Sequence, residues 1–432
     1  MSLPTLGPAP RRRATASFPL LLVVCVAATA AACASGGKGA PSVATGVRLP
    51  SAFSESYVFL RADIGGQPAL LLFDSGAGAT VLLPEVVSRL GLADRGRRLT
   101  FGLGGTAPQA RAYEGVTIRL GTDSVAVPAV MSWPEAELPS LGVERAVGVI
   151  GADLLRARVL EIDWVGGTVT AWDTATVLRT GAADDVVPLV VSQSLPVLMV
   201  HAHMGARVDT VPMVVDYGSS GALILDGSAD AGRRIAPVMR DVRTRRVIGV
   251  GGAVDGPEGR VDSVGVGRQS IRAPLAFIDT AGVRSVSLAG AQGILGTELL
   301  RRFSVVLDYA RGRAIFRPTR RVSAPFCRNA SGVCFDRTST SLPRVAFVDQ
   351  SSPAGRAGLL IGDILVTLDG VAAAELGDRD IDARLDQAGM SHVAEVRRGM
   401  SATVSTSVTV SPQGARQRAP RPPATVLVRW RL

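Results

Sequence analysis

"LLLFDSGAGATVLL" (residues 70–83) sets an acid inside an apolar run. The residues before Asp74 suit a buried strand, and the run resumes after Gly78. A carboxylate withdrawn from water is costly unless it is paired or protonated. One such motif reads as a turn, because Asp and Ser bond their own backbone and Gly accepts a positive φ. The stretch is not alone, however. "MVVDYGSSGALIL" (213–225) repeats it, with Asp216 lying 142 residues after Asp74.

Two further segments recur in the same order. "LTFGLGGTA" (99–107) returns as "RVIGVGGAV" (246–254), and "GVIGADLLRARVLEIDWVGGTVTAW" (148–172) returns as "GILGTELLRRFSVVLDYARGRAIF" (293–316). Gly151 and Gly296 are 145 residues apart, close to the offset of the two aspartates. Two copies of a unit of about 130 residues are therefore expected, an ordinary domain size. Each copy reads as short strands joined by Gly turns, such as "YVFLRADIGGQPALLLFD" (57–74), with short helices at "LPEVVSRLGL" and "GADLLRAR". The fold class is mainly β. Each copy supplies one carboxylate at a matching point, and a two-fold relation brings such a pair together. Two carboxyls about 3 Å apart share one proton, so one acts as base on a water while the other polarises a carbonyl. Their titration belongs to the pair.

"FDSGAGATVL" resembles the Asp-Thr/Ser-Gly-Ala signature of retropepsin-like aspartic proteases, and "GVIG" and "GILG" resemble the segments that support the active-site loops in that family. The resemblance covers about residues 51–320. It implies two acid-protease β lobes in one chain, related by a pseudo-two-fold axis. It also implies catalytic Asp74 and Asp216, loop support from Ser75, Gly76, Ala77, Tyr217, Gly218 and Ser219, and flap candidates Gly102, Gly104, Gly105, Gly249, Gly251 and Gly252. Neither a metal nor an organic cofactor is implied. The second copy departs from the signature, with Tyr217 where Ser or Thr is usual. Three outcomes stay open: a slow or unusual protease, a pseudoprotease that only binds peptides, or a wider site. A homodimer built on two first copies would leave Asp216 without a role.

Other classes find less support. The net charge is +10, but the arginines are scattered and aromatics are 4 % of residues, so no basic platform for nucleic acid is evident. His201, His203 and His392 are the only histidines, and none has a counterpart in the first copy, as a Ser nucleophile with its base would need. His201 and His203 share a strand face, but no third metal ligand is evident.

The ends carry different signals. Arg11–Arg13 followed by "FPLLLVVCVAATAAA" (18–32) reads as a targeting segment, too short to span a membrane. "AAAC" resembles a bacterial lipobox ending at Cys33, and a plain signal-peptidase site is the alternative. Export to the periplasm or cell envelope follows, with residues 1–33 as signal and 34–50 as a flexible tether. The lobes are expected at 51–180 and 181–322, and a linker at 323–340 in which Cys327 and Cys334 suit a local disulfide in an oxidising compartment. "SSPAGRAGLLIGDILVTLDG" (351–370) resembles the core of a bacterial PDZ domain, expected over 341–412, with residues 413–432 as a Pro/Arg-rich tail ending in a possible strand. That resemblance implies a peptide ligand added to a sheet edge. The groove is expected at Leu342, Pro343 and Arg344, with Val345 and Phe347 in the edge strand.

Overall fold

The apolar runs on either side of each aspartate become strands. The structure is a computed structural model that describes residues 45–54, 56–99, 109–132, 138–141, 144–250, 252–327, 329, 331–336, 342–348, 350, 352–385, 390–398 and 424–431. The molecule is mainly β. The strand Gln67–Phe73 pairs with Val58–Ile64 in a hairpin closed by Gly65 and Gly66, both at positive φ. It also pairs in parallel with Gly148–Ile150. The longer hairpin Leu195–Met204 with Arg207–Asp216 repeats this, and Arg207–Asp216 pairs in parallel with Gly293–Gly296. The ends of these strands next to the aspartates are buried on both faces, so they read as apolar runs rather than alternating ones. Leu71, Phe73, Val215 and Leu295 are fully buried or nearly so.

An eight-stranded sheet holds the first hairpin and a ten-stranded sheet holds the second. Between them runs a six-stranded sheet that draws on both halves of the chain. Its middle is the antiparallel pair Arg158–Asp163 and Phe303–Asp308, in register Leu160 opposite Leu307 and Ile162 opposite Val305. Thr168–Asp173 and Arg313–Pro318 flank that pair, and Val47–Leu49 and Asp185–Pro188 form the outer strands. Phe303 and Phe316 meet edge to face at 5.4 Å inside this layer. Asp308, wholly buried, accepts from Arg313 Nε at 2.9 Å and from the Arg311 amide at 3.2 Å.

The expected tether is shorter than the composition suggests. Val47–Leu49 is a strand, with Val47 opposite Ala171 and Leu49 1 % exposed in the core. An outer strand shows little apolar pattern of its own, because one buried side chain is enough to seat it.

The C-terminal sheet starts before and ends after the expected span. It runs Val333–Asp336, Arg344–Val348, Ile364–Leu368, Ser391–Arg398, Ala424–Arg431 in spatial order, with Val371–Ala372 beside the third strand. The expected linker thus contributes the first strand and the tail contributes the last, which pairs with Ser391–Arg398. Ser352 caps the short helix Pro353–Arg356 by accepting from the Gly355 amide, as the Ser-Pro pair suggests. The helix Asp378–Arg384 starts three residues earlier than its apolar pattern indicates. Cys327 and Cys334 form a disulfide across a 5.1 Å Cα separation.

Replacing Leu49 by Ala distinguishes a core strand from a tether. The expected outcome is a loss of about 2–5 kcal/mol in denaturant unfolding, the usual range for a buried leucine. A tether residue would cost close to nothing.

Candidate active site

Each aspartate sits where its strand gives way to a loop, and a second chain segment fixes that loop. The Asp74 amide donates to Ile150 O at 3.0 Å, the Ala77 amide to Asp74 O at 3.1 Å, and the Ala152 amide to Ala77 O at 3.0 Å. Gly151 passes so close that a Cβ there would lie 1.9 Å from Asp74 O. In the other half the Gly296 amide donates to Ala222 O at 3.0 Å and the Thr297 amide to Ser219 O at 2.8 Å. A Cβ on Gly296 would lie 2.3 Å from Gly221 O. The glycines of "GVIG" and "GILG" are therefore required by close backbone approach.

The two loops face each other. A Cβ on Gly76 would lie 2.5 Å from Asp216 Cγ, and a Cβ on Gly218 would lie 2.3 Å from Asp74 Cγ. Each carboxyl thus rests on the glycine of the opposite loop. Ser75, fully buried, donates to Val215 O at 2.7 Å and accepts from the Tyr217 amide at 3.1 Å, tying the loops together from the first side. The Gly218 amide donates to Asp216 Oδ1 at 2.7 Å. The two carboxyls are thereby close enough for each to affect the other's proton.

Both carboxyls are held above the ordinary aspartate range, first of all by removal from water. Asp74 is pushed well above it, since the negative charge of Asp216 and the hydrogen bond to Asp216 both favour a proton on Asp74. Asp216 is raised less simply: the hydrogen bond from Asp74 and the amides of Gly218, Ser219 and Gly76 all favour its charged form. The pair therefore holds a proton at a pH where an ordinary aspartate has lost it.

Tyr217 does not project towards the first loop's backbone as a short hydroxyl would. It is 1 % exposed and its ring lies 5.6 Å from that of Phe73, in the core. Burial raises its phenol far above the ordinary tyrosine value, so it is neutral. Only its amide joins the bridge between the loops. Ser219 likewise faces Asp216 through its amide.

Gly249 and Gly252 close the hairpin Arg240–Gly249 with Gly252–Arg260, and Gly252 takes φ 108°. Gly102, Gly104, Gly105, Gly251 and Cys33 lie outside the described residues. His201 Nδ1 is 3.1 Å from Thr210 Oγ1. Among the described residues no cluster of His, Cys, Asp and Glu could hold a metal.

The expected peptide groove needs correction. Arg344–Val348, which holds Val345 and Phe347, is paired along one side by Val333–Asp336 and meets Ile364 on the other at Arg344. Further bonds run from the Val345 amide to Asp363 O and from the Leu365 amide to Pro343 O. Arg344 and Val345 thus have backbone partners on both sides, so among the described residues the start of this strand is an inner one and not a free edge. The open edge belongs to Val333–Asp336, which the sequence reading placed in a linker.

Tyr57 was not singled out from the sequence. It is half-buried, lies against Ser220 just beyond the second aspartate loop, and feels the charges of both Asp216 and Asp74.

Residues 60–154 match the family described as Aspartyl protease. No curated protein matches the chain. Among solved structures the chain is similar to the aspartic proteinase from Irpex lacteus at 12 % identity and a TM-score of 0.43, over 65 % of this chain and 99 % of that one.

Gly218→Ala should be far more damaging than its size suggests. With a Cβ driven into the Asp74 carboxyl, the expected result is a markedly lower melting temperature in calorimetry. Gly205→Ala, at an open turn with φ 61°, should cost only about 1 kcal/mol.

Proposed function

We propose that the chain is an exported aspartic endopeptidase, with two β lobes related by a pseudo-two-fold axis and one catalytic carboxyl from each. The observation that carries the reading is the reciprocal seating of Asp74 on Gly218 and Asp216 on Gly76. Two acids placed together away from water have little structural purpose and a direct chemical one. Asp216, ionised, removes a proton from a water. Asp74, protonated, donates towards the carbonyl oxygen of the scissile peptide bond as the water attacks. The proton taken by Asp216 then goes to the leaving nitrogen as the C–N bond breaks, and Asp74 recovers its proton from the gem-diol as the carbonyl re-forms.

The match of residues 60–154 to an aspartyl protease family supports the first lobe's part in this reading. The charged and apolar leader ending at Cys33 supports export with a lipid anchor. The C-terminal sheet is read as a PDZ-like module whose peptide would add along Val333–Asp336. A second reading, a peptide-binding protein without catalysis, is favoured by one observation: Tyr217 supplies no side-chain hydroxyl between the loops.

The test is cleavage of a mixed peptide library by the full chain from about pH 3 to pH 8. Asp74→Asn and Asp216→Asn should each lower the rate by at least about 100-fold, the scale of acid–base contributions. Activity in Asp216→Asn would exclude the fused pair. The wild-type rate should fall as pH rises through the raised value of Asp74, where the pair loses its last proton.

Stability gives an independent check. The folded chain keeps the Asp74 proton over a range in which the unfolded chain, titrating near pH 4, has lost it. Folding stability therefore falls as pH rises through that window. Asp74→Asn should be more stable than wild type above the window, and the gain should vanish below about pH 3. An equal difference at all pH values would show that the acid is not held protonated.

A further inference from the structure

The two halves hold their aspartate loops from behind in different ways. In the first, Asp153 accepts from the Thr80 amide at 2.9 Å and from Thr80 Oγ1 at 2.7 Å. Arg156 donates to Asp153 at 2.7 Å and to Ser194 Oγ at 2.8 Å. The counterparts of Asp153 and Arg156 in the second copy are Glu298 and Arg301. The counterpart of Thr80 is Ala222, which has no hydroxyl. The helix Thr297–Leu300 holds the Asp216 loop through its first two residues instead. The Thr297 amide donates to Ser219 O at 2.8 Å, Thr297 Oγ1 donates to Tyr217 O at 3.2 Å, and the Glu298 amide donates to Gly221 O at 3.2 Å.

Behind that helix lies Arg302, which is buried. Its Nε donates to Glu298 O at 3.2 Å, and its other nitrogens donate to Arg321 O at 3.2 Å, Pro325 O at 3.1 Å and Ala324 O. Its guanidinium carbon lies 3.6 Å from the centre of the Phe326 ring. In return, Thr319 Oγ1 donates to Arg302 O at 2.8 Å. Residues 319–326 thus form a strap laid against the second half, and Arg260 donates to Phe326 O at 3.0 Å at its far end. A buried guanidinium is stable only while its donors are used, so Arg302 fixes helix and strap to each other. The C-terminal sheet takes over within three residues of Phe326: Asn329 Nδ2 lies 2.7 Å from Asp382 Oδ1 and 2.9 Å from Val333 O. The Cys327–Cys334 disulfide crosses the same boundary. Glu298, Arg301 and Arg302 on one side and Cys327, Gly332 and Phe347 on the other line a cavity between helix and sheet.

Resting on the peptidase reading, we propose that the Cys327–Cys334 disulfide is a redox control of the Asp216 loop. One covalent connection between strap and sheet, the chain itself, is a pivot. The disulfide is a second connection, and it removes the pivot. It holds Gly332 and Phe347 against the cavity that Glu298 and Arg301 share, so the sheet backs the helix that carries the loop. A dithiol supplies two electrons and two protons; the S–S bond breaks to two thiols and the dithiol becomes a disulfide. Both cysteines are half-buried rather than sealed, so a thiolate reaches them. Reduction restores the pivot, and the strap and Arg302 lose their fixed backing. The Asp74 loop, locked by Thr80, Asp153 and Arg156, lies off this route, so the effect falls on one carboxyl of the pair.

The experiment uses the full chain, oxidised and after reduction by dithiothreitol. It measures by calorimetry the binding of peptides that carry a secondary alcohol in place of the scissile amide. Such peptides mimic the tetrahedral species and need no turnover. Reduction should weaken binding about fivefold or more, the scale of coupling between two sites. By linkage, the bound peptide should make the disulfide harder to reduce by the same factor, read by thiol titration in dithiothreitol buffers. The double variant Cys327→Ser, Cys334→Ser should bind as the reduced chain does and ignore the dithiol. Arg302→Lys, which keeps the charge but not the fork of donors, should bind at the lower affinity in both states. A full redox effect in Arg302→Lys would overturn the route through the strap. Near-UV circular dichroism should show a folded chain in both states. A reduced chain that unfolds would make the disulfide a plain staple and overturn the proposal. Equal affinity in the two states would also overturn it, and neither result touches the peptidase reading. An oxidised wild-type chain that binds the alcohol peptides but cleaves nothing removes the catalytic reading alone, and the redox comparison still decides the role of the disulfide. A chain that binds none of them overturns both.

Discussion

Two carboxyl groups brought together out of water are the constraint around which the described architecture is arranged. Each would be expensive alone. Together they are tolerable because they hold a proton above the ordinary aspartate range and because backbone amides favour the charge on Asp216. That arrangement requires the loops to approach until each carboxyl lies on a residue with no side chain, which explains Gly76 and Gly218. It also requires each loop to be held from behind, and this is the work of the parallel strands that end at Ile150 and Gly296. At Gly151 and Gly296 even a methyl group would collide with a loop carbonyl.

The six-stranded sheet makes that approach possible. A loop-to-loop contact cannot set the spacing of two sheets by itself, because loops are the parts that yield most readily. The pair Arg158–Asp163 and Phe303–Asp308 joins the halves through backbone hydrogen bonds and a core of Leu160, Ile162, Val305 and Leu307. Asp308 and its two arginines add a buried, charge-assisted anchor at the end of that pairing. Position is thus supplied by a rigid layer, and the aspartate loops need only complete it.

Much of this was legible because the chain states it twice. Asp74 and Asp216, "GVIG" and "GILG", and the Gly turns each identify the other, and a doubled motif points to a pair where a single one points to a turn. What stayed hidden lacked that doubling or depended on pairing. Val47–Leu49 carries one buried leucine and takes its register from Ala171, far along the chain. Val333–Asp336 was assigned to a linker because strand pairing is set by partners. A four-residue edge beside a disulfide has no pattern to separate it from a loop.

Tyr217 shows how the two halves can differ without parting. Ser75 alone has a side chain short enough to reach the opposite backbone, and it makes two hydrogen bonds there, one of them to the Tyr217 amide. The second half gives up its matching hydroxyl and gains a buried ring against Phe73. An aromatic ring brings a large apolar area and a tilted contact with its neighbour. Its hydroxyl is left without a hydrogen-bond partner among the described residues, which costs part of that gain. The exchange replaces a directional bond by packing on one side of the loop contact. Packing fixes distance well and orientation less well. The orientation of the Asp216 carboxyl then rests on the amides of Gly218, Ser219 and Gly76. Asp74 and Asp216 are thus unequal in their surroundings, although the chain presents them in matching loops.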